Sequence, residues 1–426
     1  MVNTAIYVRV AAIYLPLIAA TLAGLLRPQR SRQLAACLLS LLWTLCTLLV
    51  LQRFNQLTGW WTFSHGDLLF REVPLELYFG WAVLWGLVPQ LVFPKWRLVW
   101  VSILMVAFDL IAMPLCKPVL LLSSHWLAGE ASAVLLVLLP ALCLARWTLN
   151  NMHLKLRATL QVALSGMLFL FLVPEILFAL RPGYGWLPLL HCTSWQRQLG
   201  IQLLLIFALP GVSAVAEFAG RGDGTPIPYD PPKHLVTSGI YRYCANPMQL
   251  SCGLVMLLWA AMLHNLWVLL AACMSILYSA GIAEWDEGRD LVDRFGDNWR
   301  RYHDAVPGWR VRWLPYHSGA PARLYIARTC GPCSELRTWI EARHPIGLDF
   351  IDAETLPSGS IRRLRYDPAD GSPTVDGIRA LGRALEHLHL GWTLCGAALR
   401  LPLVWQCVQL LMDASGLGPR LLGETA

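Results

Sequence analysis

GTPIPYDPPKHLVTSGIYRYCANPMQ, residues 224–249, stands apart in a chain that is otherwise mostly lipid-soluble. Its prolines interrupt helix, Gly239 permits a turn, and Tyr241 and Arg242 stand just before an apolar run, so the stretch reads as a structured loop entering a membrane helix. Beyond an apolar helical hairpin come Glu284, Asp286 and Glu287, then RFGDNWRRYHDAVPGW, residues 294–309. If the hairpin returns the chain to the side it left, the loop and the acids meet at one membrane surface.

The surroundings are those of a membrane protein. Of 426 residues, 56% are hydrophobic and 14% charged, and the mean hydropathy is +0.50, outside the balance of a soluble domain of this size. Twenty tryptophans suit a chain with many membrane–water boundaries. The net charge of +7 is modest and sits mainly in short loops, where it reports topology; no nucleic-acid partner is expected.

Apolar runs predict nine crossings: residues 4–26, 33–52, 76–93, 98–115, 129–146, 158–180, 198–219, 248–263 and 266–283, the last two turning at His264-Asn265. The first run lacks a basic leader and a small-residue cleavage site, so it reads as an uncleaved helix. With the N-terminus outside, one set of loops collects Arg27, Arg30, Arg32, Lys95, Arg97, Lys155, Arg157, Arg221, Lys233 and Arg242, while the other carries Asp67, Glu72 and Glu76. That arrangement puts the Gly224 loop and the C-terminal tail in the cytosol.

The fold class expected is therefore an α-helical polytopic membrane protein with a C-terminal α/β domain. Residues 1–190 form a helical scaffold with no paired acids or histidines at ligand spacing, whose role reads as support and acceptor tunnel. Residues 191–315 form the core around the loop and the acidic motif. After Pro315 charges become dense, and residues 323–426 read as a water-soluble unit: strand Arg323 to Ala327, helix Ser334 to Arg343, strand Leu348 to Asp352. Residues 391–412 are apolar but broken by Arg400 and Pro402, and read as packed helices of this unit.

The core resembles the integral-membrane methyltransferases of the isoprenylcysteine carboxyl methyltransferase type and, more loosely, the phospholipid methyltransferases. The family's Leu-Val, small turn, Gly, Tyr, Arg and His or Asn before Pro appears as LVTSGIYRYCANP, and GTPIPYDPP resembles the loop of bacterial members. The later pattern appears as Glu287, Leu291, Phe295-Gly296, Trp299, Tyr302 and Val306-Pro307. The resemblance implies S-adenosyl-L-methionine bound by Lys233, His234, Leu235, Val236, Tyr241, Asn246, Pro247, Met248 and Glu287, with Arg242 catalytic. It also implies a lipophilic acceptor, a prenylated, thiol- or carboxyl-bearing compound or a lipid, in the inner or plasma membrane of a bacterium. The chain departs from the pattern at Asn246 (His in eukaryotic members), Gln249 (Tyr), Gly288 (a second acid) and Ala283 (Arg).

Of twelve cysteines, most lie inside apolar runs as small buried hydrophobes. Cys330 and Cys333, in Thr-Cys-Gly-Pro-Cys, have the spacing of one redox pair, with Cys330 at a helix N-terminus that favours the thiolate and Cys333 positioned to resolve a mixed disulfide. The same spacing can be half of a zinc site, which needs two more ligands; His344, His387 and His389 offer no second pair, and no metal is expected. Cys-Gly-Pro-Cys after a strand resembles thioredoxins, and DPADG, DGIRALGRALEHL and Trp392 to Pro402 resemble the DCC-type thiol-disulfide oxidoreductase domain, with Ile326-Ala327-Arg328 in place of its Tyr-Asp-Gly lead. The resemblance implies a thiol substrate or reductant as partner and Pro373 as a cis-proline facing the thiols. The rival reading is a membrane-anchored thiol-disulfide redox protein whose methyltransferase fold survives only as scaffold.

Overall fold

The computed structural model describes the chain except residues 1, 27–30, 65–67, 182, 228–229, 358–360 and 420–426. Arg27, Arg30 and Asp67, part of the loop-charge argument, lie outside the described residues, as do Pro228 and Tyr229 of the quoted loop. Among the described residues, eight helices are long and apolar enough to cross a bilayer. The protein is an integral membrane protein of mainly helical architecture.

The chain packs as two compact units, residues 1–187 with 223–232, and residues 188–222 with 233–426. The first unit contains α1 (Val2–Leu26), α2 (Ser31–Thr58), α3 (Leu75–Gly86), α4 (Val88–Val92) and α5 (Leu98–Leu115). It continues with α6 (Trp126–Ala133) and α7 (Leu139–Leu149), joined through a π-helical turn at Val134–Leu138, and α8 (Leu154–Met167) and α9 (Val173–Leu180), joined through another at Leu168–Leu172. Two short antiparallel ribbons complete it: β1 (Trp61–Phe63) with β4 (Leu120–Leu122), and β2 (Leu69–Phe70) with β3 (Val73–Pro74).

Helix α2 is the axis of this unit, its Leu39, Trp43, Cys46 and Leu49 packing with Ala141 and Leu144 of α7. A helix buried in lipid or protein must satisfy its polar groups internally. Thr44 and Thr47 do so by donating to the carbonyls of Ser40 (2.8 Å) and Trp43 (2.7 Å). Buried charges are paired likewise: Glu175 of α9 accepts from Arg53 at 2.5 Å, from Arg71 and from Trp186 at 2.8 Å. Arg157 of α8 binds Asp230 at 3.0 Å, which also accepts from Thr225 at 3.1 Å. The proline-rich loop is thus fastened to α8 by a buried ion pair.

Helix α10 (Leu187–His191) leads into the second unit, whose first long element is α11 (Ser194–Glu217). Gln196 closes the start of α11 by accepting from the Thr193 amide (3.0 Å) and hydroxyl (2.8 Å). Next come α12 (Pro247–Met262) and α13 (Leu266–Tyr278), which passes through a π-helical segment at Ser279–Ala283 into α14 (Glu284–Phe295), and then α15 (Asp297–Ala305). The expected turn falls at His264 and Asn265: His264 has φ 48° and the Asn265 side chain caps α13 by accepting from the amides of Trp267 and Val268. At 1.5 Å per residue α12 is only about 24 Å long, short of a hydrocarbon core of about 30 Å. Of the nine crossings expected from sequence, it is the one too short to count among the eight.

The remainder holds β5 (Ala322–Ile326), α16 (Gly331–Glu341), β6 (Leu348–Asp352), β7 (Arg365–Asp367), β8 (Val375–Asp376), α17 (Ile378–Leu385), α18 (Leu390–Leu399) and α19 (Val404–Met412). The sheet order is β6-β5-β7-β8, with β5 and β6 parallel and the other pairs antiparallel. Leu324, Ile340, Tyr366, Ala380 and Leu385 form its core. Helix α17 meets α18 at Gly382 and Gly396, where a Cβ on Gly382 would stand 2.8 Å from the Gly396 carbonyl oxygen. The apolar stretch expected to pack as separate helices is α18 followed by the helical residues Val404–Leu417, bent by 86°. Among the described residues no peptide bond is cis, so Pro373 is trans, which corrects the expectation of a cis-proline.

Candidate active site

The Tyr241 turn is held from several sides within the second unit. Lys233 and His234 are exposed at its entrance, their amides donating to the Gly222 carbonyl at 2.7 and 3.3 Å. Leu235 and Val236 face inward, Leu235 against Trp299 and Tyr302 and Val236 against Ala214, Ile240 and Tyr241. Ser238 donates to Glu217 at 2.8 Å. Gly239 has φ 61°, and a Cβ there would stand 2.8 Å from the Glu217 side chain, so both conformation and space call for glycine.

Tyr241 is buried, stacks on Phe218 with ring centroids 6.0 Å apart, and its carbonyl accepts the Tyr302 hydroxyl at 2.8 Å. Burial pushes its own hydroxyl well above the usual phenol range, so it stays a neutral phenol. The chain then pairs with the segment after α15: Ala245 N–H donates to Pro307 (3.1 Å), Asn246 N–H to Gly308 (3.3 Å), Arg312 N–H to Tyr243 (2.9 Å) and Tyr316 N–H to Arg242 (2.9 Å). Cys244, also buried, donates its thiol to the Gly308 carbonyl at 3.0 Å, and burial pushes it up to about 11. It is a structural thiol.

Asn246 occupies the N-cap position of α12 with Pro247 as first helical residue, yet its side chain makes no capping bond. Its Nδ2 and the Glu284 Oε1 lie 2.8 and 2.5 Å from the point where a Gly308 side chain would begin. One turn into α12, Gln249 Nε2 donates to Glu287 Oε2 at 3.4 Å. Glu284 also lies 3.7 Å from His303 of α15. The hairpin therefore returns as the sequence requires: Asn246, Gln249, Glu284 and Glu287 meet at one end of it. Met248 turns instead into the apolar cluster with Phe218 and Tyr241.

Arg242 goes elsewhere. Only 9% exposed, it places Nη1 3.4 Å from His387 Nδ1, and its Nε has no partner. His387 Nδ1 lies 2.8 Å from the Ile346 carbonyl oxygen and Nε2 lies 2.9 Å from the Tyr366 hydroxyl. A carbonyl can only accept, so Nδ1 carries the proton and Nε2 accepts from Tyr366; Arg242 is a neighbour of the ring and not a donor to it.

Glu284, His303 and Gly308 were not singled out by sequence reasoning as site residues. Glu284 was findable, since it precedes Glu287 by one turn on the same helical face; Gly308 and His303 join only through the return of the chain. Glu354 is a further addition, at the cysteine pair. Its Oε1 accepts from the Arg328 amide (2.8 Å), the Thr329 amide (3.0 Å) and the Thr329 hydroxyl (3.0 Å). Slight burial opposes its charge, and these hydrogen bonds outweigh it to hold the carboxyl below the usual range. Cys330 is the N-cap residue of α16, Pro332 lies in its first turn, and the two sulfur atoms are 2.6 Å apart.

Residues 202–298, which include the Tyr241 turn, the α12–α13 hairpin and the acids of α14, match the model of the phospholipid methyltransferase family. No curated protein and no solved structure matches the chain significantly.

Proposed function

We propose that the protein is a membrane methyltransferase that uses S-adenosyl-L-methionine and acts on a lipophilic acceptor. The observation that carries this reading is the convergence of Asn246, Gln249, Glu284 and Glu287 at one end of the hairpin, inside the segment that matches the family.

The groups present fit an amino-acid-bearing cofactor. Among the described residues, Glu284 and Glu287 are engaged by long contacts to His303 and Gln249 and would receive an ammonium; Asn246, free of capping duty, would donate to a carboxylate. Leu235, Val236, Tyr241, Pro247 and Met248 would wall the site, and Lys233 and His234 would line its entrance. The cofactor supplies a methyl group already activated on a sulfonium sulfur, so the chain has little proton transfer to perform. Its residues would bind, align and exclude water, which is where most of the rate gain of such a transfer arises. The basic residues of the adjoining loop, among them Lys233 and Arg242, support a cytosolic position for this end of the hairpin.

The second element of the proposal is a thioredoxin-like thiol-disulfide domain at the C-terminal end. Supporting it are a strand order of 2-1-3-4 within the sheet, a parallel pair bridged by α16, and the helix opening on Cys330. Cys330 thiolate would attack a substrate disulfide, releasing one thiol, and Cys333 would displace the second, leaving a Cys330–Cys333 disulfide that a cytosolic dithiol reduces. A thiol acceptor would thus be kept reduced before methylation.

A rival reading keeps the redox domain and treats the hairpin as degenerate scaffold; Gly288, where the family pattern has a second acid, faces open space and favours it. Calorimetric titration of the detergent-purified protein with S-adenosylhomocysteine separates the two. Binding that Glu287→Ala abolishes supports the methyltransferase; silence in both proteins discards it.

A further inference from the structure

Helix α19 is amphipathic in the reverse of the usual sense for a water-soluble domain: polar side chains fasten it to the protein and an apolar face points out. On the inner side Gln409 accepts the Ile378 amide at 3.0 Å and donates to Asp413, just past the helix, at 2.9 Å. Asp413 in turn receives two guanidinium nitrogens of Arg363, at 2.5 and 2.9 Å. Gly377 keeps the approach close, since a Cβ there would overlap the Gln409 side chain. On the outer side Leu403, Val404, Cys407, Leu410 and Leu411 are all exposed. Their spacing of i, i+1, i+4, i+7 and i+8 is that of one helical face, and Leu403, Leu410 and Leu411 are 74%, 68% and 67% exposed.

A contiguous face of this kind marks a partner surface, and the surroundings of α19 indicate the bilayer. Helix α18, which leads into α19, clusters its Leu390 and Leu394 with Ala214 and Phe218, near the end of the membrane span Ser194–Gly222. Arg400, between α18 and α19, pairs with Glu217 of the same span at 2.8 Å. The bent pair is thus tied to the boundary of a membrane helix. It does not itself cross: its legs, Leu390–Leu399 and Val404–Leu417, are bent by 86° and are about 15 and about 21 Å long, so neither leg nor their resultant reaches about 30 Å. Nor can α19 tip into the hydrocarbon without breaking the Gln409 and Asp413 contacts. Val311, Trp313 and Leu314 are exposed as well, and the Trp313 carbonyl accepts the Leu390 amide at 3.0 Å, at the start of α18. Arginines accompany both patches, with Arg310 exposed beside Val311 and Arg379 exposed near the Trp405 ring. Leucine and tryptophan with flanking arginine is the composition of a chain that lies at headgroup level.

We propose that the apolar face of α19 beds in the lipid leaflet adjoining the Tyr241 turn, so that the C-terminal sheet rests on the membrane instead of hanging from a linker. The helix lies in the plane of the leaflet with its leucines about 5–10 Å deep, at the boundary of headgroups and acyl chains. A second copy of the chain could cover the same leucines, and the test separates the two.

The full-length protein is placed in nanodiscs of phosphatidylcholine and phosphatidylglycerol with a photoreactive residue, as Leu410→p-benzoylphenylalanine or Leu411→p-benzoylphenylalanine. Glu335→p-benzoylphenylalanine, exposed on α16, is the reference. After irradiation, peptide mass spectrometry should find phospholipid adducts at positions 410 and 411 at least about tenfold more often than at 335. Cys407 gives a second readout in the unaltered chain: a charged maleimide should label it slowly in nanodiscs. Leu410→Glu combined with Leu411→Glu lifts the face into water and should speed that labelling by about fivefold or more. Crosslinks to a second protein chain in place of lipid, lipid adducts no more frequent than at position 335, or equal labelling of Cys407 with and without the two glutamates overturns the proposal.

Discussion

Arg383 of α17 places Nη1 2.6 Å from Oε1 of Glu217, the last residue of α11. Arg400, just past the end of α18, reaches the same oxygen at 2.8 Å, Arg221 approaches the other at 3.6 Å, and Glu386 is shared between Arg383 and Arg400. A single buried carboxylate thus holds three guanidinium groups and the Ser238 hydroxyl beside the Tyr241 turn. Glu217→Ala leaves the three guanidinium groups with only Glu386 and Asp370 as counter-charges among the described residues, and the expected loss is about 3–5 kcal/mol. Denaturant titration of the purified protein measures it. Replacing Glu217 and Arg383 together by methionine should recover much of that loss, since the buried pair itself adds little net stability; a double variant as unstable as Glu217→Ala would show that the pair matters for another reason.

Gly308 sits where the return of the chain is tightest. A methyl group there would stand 2.5 Å from Glu284 Oε1 and 2.8 Å from Asn246 Nδ2, so Gly308→Ala must move both polar tips while the backbone pairing of residues 245–246 with 307–308 can persist. Losing one charge-assisted hydrogen bond to the cofactor corresponds to about a tenfold to hundredfold drop in affinity. The expected outcome is weakened S-adenosylhomocysteine binding with a melting temperature near wild type. Unchanged affinity would place the cofactor elsewhere.

Two thiol environments in the second unit should react very differently. Cys244 is buried, donates to Gly308, and is pushed up to about 11, so at pH 8 only about one molecule in a thousand carries the thiolate. Cys330 is half-buried at the start of α16. Iodoacetamide at pH 8 followed by peptide mass mapping should modify Cys330 in the folded protein and Cys244 only on unfolding. Glu354→Ala, which releases the Arg328 and Thr329 amides, should further speed labelling of Cys330; equal rates with and without Glu354 would show that the carboxylate does not restrain the loop.

What could be read in advance follows the range of the interactions. The His264-Asn265 turn was legible because an asparagine between two apolar runs is a local capping signal, and Cys330 at a helix start because Gly-Pro after it fixes the first turn. The Glu175 cluster was not, since its partners Arg53, Arg71 and Trp186 come from separate parts of the chain with no fixed sequence spacing, and Glu175 alone resembles a stray acid in an apolar run. Glu217 escaped notice for the same reason: its three arginines come from α17, the residue after α18 and the turn after α11. Arg242 matched its motif by position, yet its surroundings are set by His387, 145 residues further on.

His387 gives the protein an acid-sensitive joint. The ring is fully buried, donates from Nδ1 to Ile346 and accepts from Tyr366 at Nε2. Burial, and then the nearby Arg242 and Arg383 charges, hold its proton affinity well below the ordinary value of 6.5. The unfolded chain takes up a proton near pH 6.5 that the folded chain refuses, so stability rises with pH across the interval between the folded and unfolded values. Acidification from pH 7 therefore costs about 1.4 kcal/mol per pH unit once below 6.5, until the folded ring itself titrates. His387→Gln can supply one donor and one acceptor and removes this linkage. His317, whose folded value is lowered by partial burial and by Arg242, shares the sign, so His317→Gln serves as the control. Melting curves between pH 7 and pH 5 should flatten most in His387→Gln; slopes equal to wild type would show that acid lability arises elsewhere, and that the Arg242 neighbourhood tolerates a protonated ring.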